Sequence, residues 1–242
     1  GYPDIDLALY QKIGQRLAAS GITSTMEASL KEHDIDLFAK WAKQSPLTHR
    51  MTVAFFADFE DYRPSPDKPI SIERLISEFT AIQRRHKNVE NLKIDTAKIF
   101  VDGVTEGNPH ANPPALPNAA SLTDYLQPQF KVDANTQALE VIGYVDTESA
   151  ACIELRHQAD ANLPTMSAKD FYAEQGFSPL QCRKFNGVYE REEIFIRDYT
   201  LALYDAGINV HSHAIGDRAV RLALDSFTEA KKQSPKSKAK VS

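Results

Sequence analysis

Cysteine is scarce in this sequence, and a long apolar run is missing. The 242 residues include two cysteines, Cys152 and Cys182, which are too few for a disulfide framework and lack the Cys-x-x-Cys spacing of zinc and redox sites. They do not indicate a cellular compartment. No apolar run approaches the ~18 residues that a membrane-spanning helix requires, which excludes a membrane protein.

An excess of positive charge is also missing. The formal net charge is −5, which disfavours a nucleic-acid-binding protein, because such a protein must neutralise phosphates. Residues 1–10 have no basic start, apolar stretch or cleavage site of a secretory signal, which favours a cytoplasmic location. Since the chain starts without Met, we also expect it to be an internal piece of a longer protein.

Several common catalytic and cofactor motifs are absent. The sequence contains no Gly-x-Ser-x-Gly, which argues against a serine hydrolase with a nucleophile elbow. Neither the dinucleotide-binding Gly-x-Gly-x-x-Gly nor the phosphate-binding Gly-x-x-x-x-Gly-Lys-Ser/Thr occurs.

What the sequence does contain is an alternation of short apolar runs and amphipathic stretches. This alternation predicts βα units and therefore an α/β fold with a parallel sheet or barrel. The predicted strands are residues 22–26, 51–56, 97–101 and 208–215, and the predicted helices are residues 6–19, 28–42, 71–87, 190–206 and 218–232.

The alternation breaks between residues 104 and 186. Five prolines fall within 20 residues there, too many for regular core elements, and only one helix is predicted, at residues 147–159. Long excursions from an α/β frame often line the active site, but a surface decoration or an oligomer contact is an equal alternative. We therefore divide the chain into βα units (1–103), an insertion (104–186) and a further βα unit (187–242).

Candidate site residues lie at strand ends, where parallel α/β proteins bind ligands. His211 and His213 are two apart on one strand and so share a face, which suits a metal, a substrate contact or an ordinary polar strand end. Lys98 lies within an apolar run, and burial would make its amine neutral and nucleophilic. Such an amine can form a Schiff base or a carbamate. The alternative is an ordinary charged lysine at a solvated strand end. Glu27 could hydrogen-bond to a metal ligand or, more simply, be an acidic residue at the N-terminus of a helix, where the helix dipole favours it.

Three segments then carry a family resemblance. They are GITS at residues 21–24 with Glu27, AKIFVDG at residues 97–103, and VHSHAIGDRAV at residues 210–220. Together they resemble the family-3 branch of the amidohydrolase superfamily, which includes N-substituted formamide deformylases. The HAIGDRAV run is the most specific of the three, and the insertion matches poorly.

The resemblance implies a (β/α)8 barrel that binds one or two divalent metals, usually zinc, and hydrolyses an amide or related C–N bond of a small-molecule substrate. It implies that Lys98, often carbamylated, and His213 are metal ligands. It also leaves His211, Asp102, Glu106 and His110 as the substrate-contacting candidates.

The departures from the family pattern are equally informative. The first-strand His-X-His pair of the family does not occur before Gly21, and the sixth-strand histidine and the catalytic aspartate are also missing. We therefore expect the chain to span about strands two to five, with the insertion between strands four and five. We expect such a piece to be inactive alone, to bind zinc weakly and to self-associate through open strand edges. The alternatives are a non-catalytic α/β binding or assembly module and a Schiff-base lyase that uses Lys98.

Overall fold

A computed structural model describes residues 7–107, 117–136, 138–161 and 165–242. Within these ranges the chain forms two compact units. The first holds the described residues up to Val101 together with Arg191–His213 and Leu222–Ser242, and the second holds those of Asp102–Glu190 together with Ala214–Arg221.

Outside the predicted insertion, the described helices and strands alternate as predicted. The helices are α1 (Leu7–Ala19), α2 (Glu32–Gln44), α3 (Ile72–His86), α4 (Ala150–Asp160), α5 (Ala168–Gln175), α6 (Glu193–Asp205) and α7 (Asp217–Gln233). The strands are β1 (Ser24–Leu30), β2 (Arg50–Phe55), β3 (Leu92–Phe100), β4 (Pro128–Val132), β5 (Leu139–Tyr144) and β6 (Asn209–His213). No helix among the described residues is long and apolar enough to cross a bilayer.

The first unit is built on a four-stranded sheet in the order β1-β2-β3-β6, and every neighbouring pair is parallel. The interior strands β2 and β3 are mostly buried, which matches their apolar composition. Helix α3 covers the sheet with Leu75, Phe79 and Ile82, all fully buried, and Phe79 stacks on Phe55 of β2 at 5.6 Å. The α/β fold with a parallel sheet is confirmed, whereas the partial barrel stays a prediction.

The first strand lies further along the chain than predicted. Residues 28–30 were expected to begin a helix, but they continue β1, where Leu30 pairs with Phe55 and its carbonyl accepts a hydrogen bond from Phe56 at 2.8 Å. Pairing with a neighbouring strand therefore prevails over the helical periodicity of this segment. Glu27 consequently lies in a strand, so its interpretation as a helix N-terminal acid is wrong.

The last residues of the chain pair with β6. Val241 forms a parallel bridge with Val210, and the amides of Val210 and Ser212 donate to the carbonyls of Lys240 and Ser242 at 2.8 and 2.7 Å.

The second unit has more regular structure than its prolines suggested. Strands β4 and β5 pair antiparallel, and α4 and α5 follow. Cys152 and Cys182 form a disulfide whose sulfurs are buried among Val145, Phe171 and Phe177. The two cysteines are therefore structural partners. The helix predicted at residues 147–159 is α4, whereas the hairpin and α5 were not predicted.

Candidate functional site

The register of β3 and β6 brings three of the predicted site residues together. Lys98 pairs with His211, and Phe100 pairs with His213. Paired residues of parallel strands point to the same side of the sheet, and so do residues two apart on one strand. Lys98, Phe100, His211 and His213 therefore share one face at the carboxyl ends of two adjacent strands.

The amine of Lys98 is held in an environment that disfavours its charge. The residue is only 6% exposed, and it makes no ion pair with a carboxylate of the described part of the chain. Its Nζ lies 4.7 Å from the centroid of the Phe100 ring. Burial lowers the pKa of Lys98 below the ordinary lysine value, which increases the fraction of the amine that is neutral and nucleophilic at a given pH.

The two histidines differ in their surroundings. Burial lowers the pKa of His211, and the nearby charge of Lys98 lowers it further. The Nδ1 atom of His211 hydrogen-bonds with Ser242 Oγ at 3.1 Å, which leaves Nε2 for another partner. The His213 ring lies 5.3 Å from the Phe100 ring, so Phe100 contacts both the lysine and the second histidine.

These side chains fit part of a metal site. Two imidazoles and a lysine offer nitrogen donors, and a carbamate on Lys98 would add oxygen donors. Within the described ranges, however, no group of three His, Cys, Asp or Glu side chains could hold a metal ion. Since a catalytic zinc normally has three protein ligands, the described residues form an incomplete set.

The carboxylate of Asp102, in the second unit, binds backbone amides. The residue is 1% exposed, and its two oxygens accept hydrogen bonds from the amides of Ala120 at 2.8 Å, Ile215 at 3.0 Å and Gly216 at 2.8 Å. The carboxylate thereby fixes the segment around Ala120 against the loop between β6 and α7. This geometry gives Asp102 a positioning role, while the predicted substrate contact remains a prediction.

The same contacts explain the HAIGDRAV run, whose structural role the sequence reasoning missed. A Cβ on Gly216 would lie 1.9 Å from the Ala120 carbonyl oxygen, so only glycine fits there. Asp217 accepts from the amide of Leu122 at 2.7 Å. Arg218 donates to the Gly187 carbonyl at 3.0 Å and lies 4.8 Å from the Tyr189 ring centroid. The Gly-Asp-Arg part of the motif is therefore a loop-docking element.

Two further predicted substrate contacts are Glu106 and His110. Glu106 is an exposed residue of the second unit, and its substrate contact stays a prediction. His110 lies outside the described residues. The Tyr125 hydroxyl donates to the Ala119 carbonyl at 2.5 Å, which ties together residues within the insertion.

Comparisons with known proteins give weak likenesses. No protein-family model matches the chain, and no curated protein matches it. A solved structure of an uncharacterized metal-dependent hydrolase from Pyrococcus horikoshii OT3 matches with a TM-score of 0.46 and 14% identity, over 92% of this chain and 30% of that one. An uncharacterized metal-dependent hydrolase from Pyrococcus furiosus matches with a TM-score of 0.47 and 16% identity, over 95% and 33%. The chain spans about a third of the length of these structures.

Proposed function

We propose that the chain is part of a metal-dependent amidohydrolase that hydrolyses a non-peptide C–N bond, such as an amide or formamide, in a small molecule. The observation that carries this proposal is the shared face of Lys98, His211 and His213. A lysine with a lowered pKa beside two imidazoles, at the carboxyl ends of adjacent parallel strands, suits metal and substrate binding better than structural roles.

In this proposal Lys98 and His213 hold the metal, and His211 contacts the substrate through its free ring nitrogen. A divalent metal, zinc by preference, supplies a Lewis acid that makes a water molecule nucleophilic at neutral pH. Phe100, which touches both Lys98 and His213, keeps that side of the cluster apolar.

Burial lowers the pKa of Lys98, which prepares its amine for carbamylation. The neutral nitrogen attacks the carbon of CO2, an N–C bond forms, and one C=O electron pair moves to oxygen. The nitrogen then releases a proton to solvent, which leaves a carbamate anion. The reaction needs only the neutral amine and dissolved CO2, and it converts that neutral amine into an anionic oxygen ligand.

Carbamylation can be tested without measuring activity. After equilibration with ¹³C-bicarbonate, we expect one protein-bound carbamate resonance in the ¹³C NMR spectrum. Lys98→Ala should abolish it, whereas the matched control Lys93→Ala, on the exposed side of the same strand, should retain it. A resonance that survives Lys98→Ala would contradict the assignment.

Metal binding gives a second test in the longer protein that we expect to contain this chain. Lys98→Ala and His213→Ala should each lower the zinc content measured by elemental analysis, and Lys93→Ala should not. Full metal content and activity in Lys98→Ala would refute its role as a ligand.

The incomplete ligand set favours one alternative, a non-catalytic α/β binding or assembly module. A His-X-His pair before this chain, with a histidine and an aspartate after it, would exclude that alternative. If the protein were instead a Schiff-base lyase, borohydride would reduce the imine and leave the carbonyl substrate covalently attached to Lys98.

A further inference from the structure

A cavity lies within the first unit, between α1, β1 and α2. Its volume is about 420 Å³, which falls in the range of small-molecule sites. The side chains that characterise it are Tyr10, Glu27, Phe38, Trp41, His49 and Met51. All of them precede β3, so this cavity does not involve Lys98, His211 or His213.

Three aromatic rings form one wall of the cavity. The Tyr10 and Trp41 ring centroids are 5.3 Å apart, those of Phe38 and Trp41 are 5.8 Å apart, and those of Tyr10 and Phe38 are 6.4 Å apart. The Phe38 ring meets the other two edge-on, at 66° and 78°, so the three rings do not form a flat stack. Rings that meet at steep angles can present π faces to a common volume, as in the aromatic cages that bind alkylammonium ions.

The polar groups of the cavity favour a positive ligand. Glu27 lines it, and its side-chain carboxylate makes no hydrogen bond or ion pair with any residue that the structure describes. Among the lining residues that are described, none is lysine or arginine. The Tyr10 hydroxyl oxygen is buried and has no hydrogen-bond partner within the described part of the chain. A part-buried carboxylate without a cation is unfavourable, and a bound cation would compensate its charge.

From this combination we propose that the cavity binds an organic monocation: an ammonium group with apolar substituents. The charged head would lie by Glu27 and the ring faces, and the apolar substituents would contact Met51 and the remaining wall. An anion would meet the Glu27 carboxylate, and a neutral ligand would leave that charge uncompensated. The proposal is independent of the metal-hydrolase function.

The chain supplies its own reporter for this site. Trp41 is the single tryptophan of the sequence and lines the cavity, so tryptophan fluorescence reports on it selectively. Choline and 3,3-dimethylbutan-1-ol have nearly the same shape and differ in charge, and benzyltrimethylammonium tests a larger apolar substituent. We expect both cations to produce saturable fluorescence changes, with choline binding about tenfold more tightly than its neutral isostere. Equal binding of choline and the alcohol, or no saturable change with either cation, would overturn the proposal.

Variants then assign the interaction to named groups. Glu27→Gln keeps the size of the side chain and should weaken binding of both cations about tenfold, while leaving the alcohol unaffected. The matched control Glu90→Gln, at an exposed position outside the cavity, should bind like the unmodified chain. Phe38→Leu removes one ring and should weaken cation binding several-fold, with the melting temperature recorded to confirm folding.

One further variant separates this site from the proposed metal site. Lys98→Ala should leave the choline titration unchanged. Undiminished cation binding by Glu27→Gln would refute the cavity assignment, whatever the outcome of the metal experiments.

Discussion

The disulfide gives a prediction whose size follows from the structure. Cys152 lies on α4, and Cys182 ends a short 3-10 turn, Pro179–Cys182. Their separation of 30 residues closes a loop whose lost entropy in the unfolded chain is worth about 3.6 kcal/mol at 25 °C. Reduction keeps both sulfurs in the buried cluster with Phe171 and Phe177, so it isolates the effect of the cross-link from that of packing.

We therefore expect reduction to lower the free energy of unfolding of the second unit by about 3.6 kcal/mol. Amide hydrogen exchange in α4 and α5 should report this loss, with oxidised and reduced samples compared under the same conditions. The double variant Cys152→Ala/Cys182→Ala serves as control, because the reductant should not change its exchange. If reduction lowers the opening free energy of the α4 amides by less than about 1 kcal/mol, the loop-entropy reasoning is refuted.

Three further predictions concern packing, pH and association. Gly216→Ala would place a methyl group 1.9 Å from the Ala120 carbonyl oxygen and should cost about 2 kcal/mol or more in urea denaturation, whereas Gly143→Ala, with its nearest contact at 3.6 Å, should cost less than half as much. Burial raises the pKa of Tyr199, so with rising pH the unfolded chain loses the hydroxyl proton at a lower pH than the folded chain does. The free energy of unfolding should therefore fall above about pH 10, by up to about 1.4 kcal/mol per pH unit more than in Tyr199→Phe. Strand β1 is an edge strand of the described sheet, and Met26 on it is 43% exposed. Sedimentation should therefore show concentration-dependent self-association, which Met26→Lys should weaken, and a monomer at all concentrations would refute this.

The parts of the fold that the sequence predicts best are those in which local pattern and tertiary environment agree. The apolar run of residues 51–56 identified β2 to within one residue, because both faces of that strand are buried. Periodicity failed at residues 28–30, where hydrogen bonding to β2 decides the conformation. The hairpin of β4 and β5 was missed because Pro128 and its neighbours weaken the strand pattern, although proline is compatible with a strand end.

The site was predictable in its residues more than in their roles. The spacing of His211 and His213 was enough to place both on one face, since side chains alternate along a strand. The pairing of Lys98 with His211 depends on which strands are neighbours and on their register, which a single sequence does not encode locally. Asp102 accepts hydrogen bonds from Ala120, 18 residues away, and from Gly216, 114 residues away, so no local signal could reveal the roles of Asp102 and Gly216.

The register between β3 and β6 also limits how this chain can change during evolution. Deleting or inserting one residue within either strand would turn every side chain beyond that point to the opposite face. Such a change would separate Lys98 from His211, and Phe100 from His213, without altering any of the four residues. Length variation among homologues should therefore be excluded from these two strands and concentrated between them, in the segment from Val104 to Asn186. An alignment of homologues in which the spacing from Lys98 to the end of β3 varies would show that the shared face is not under selection.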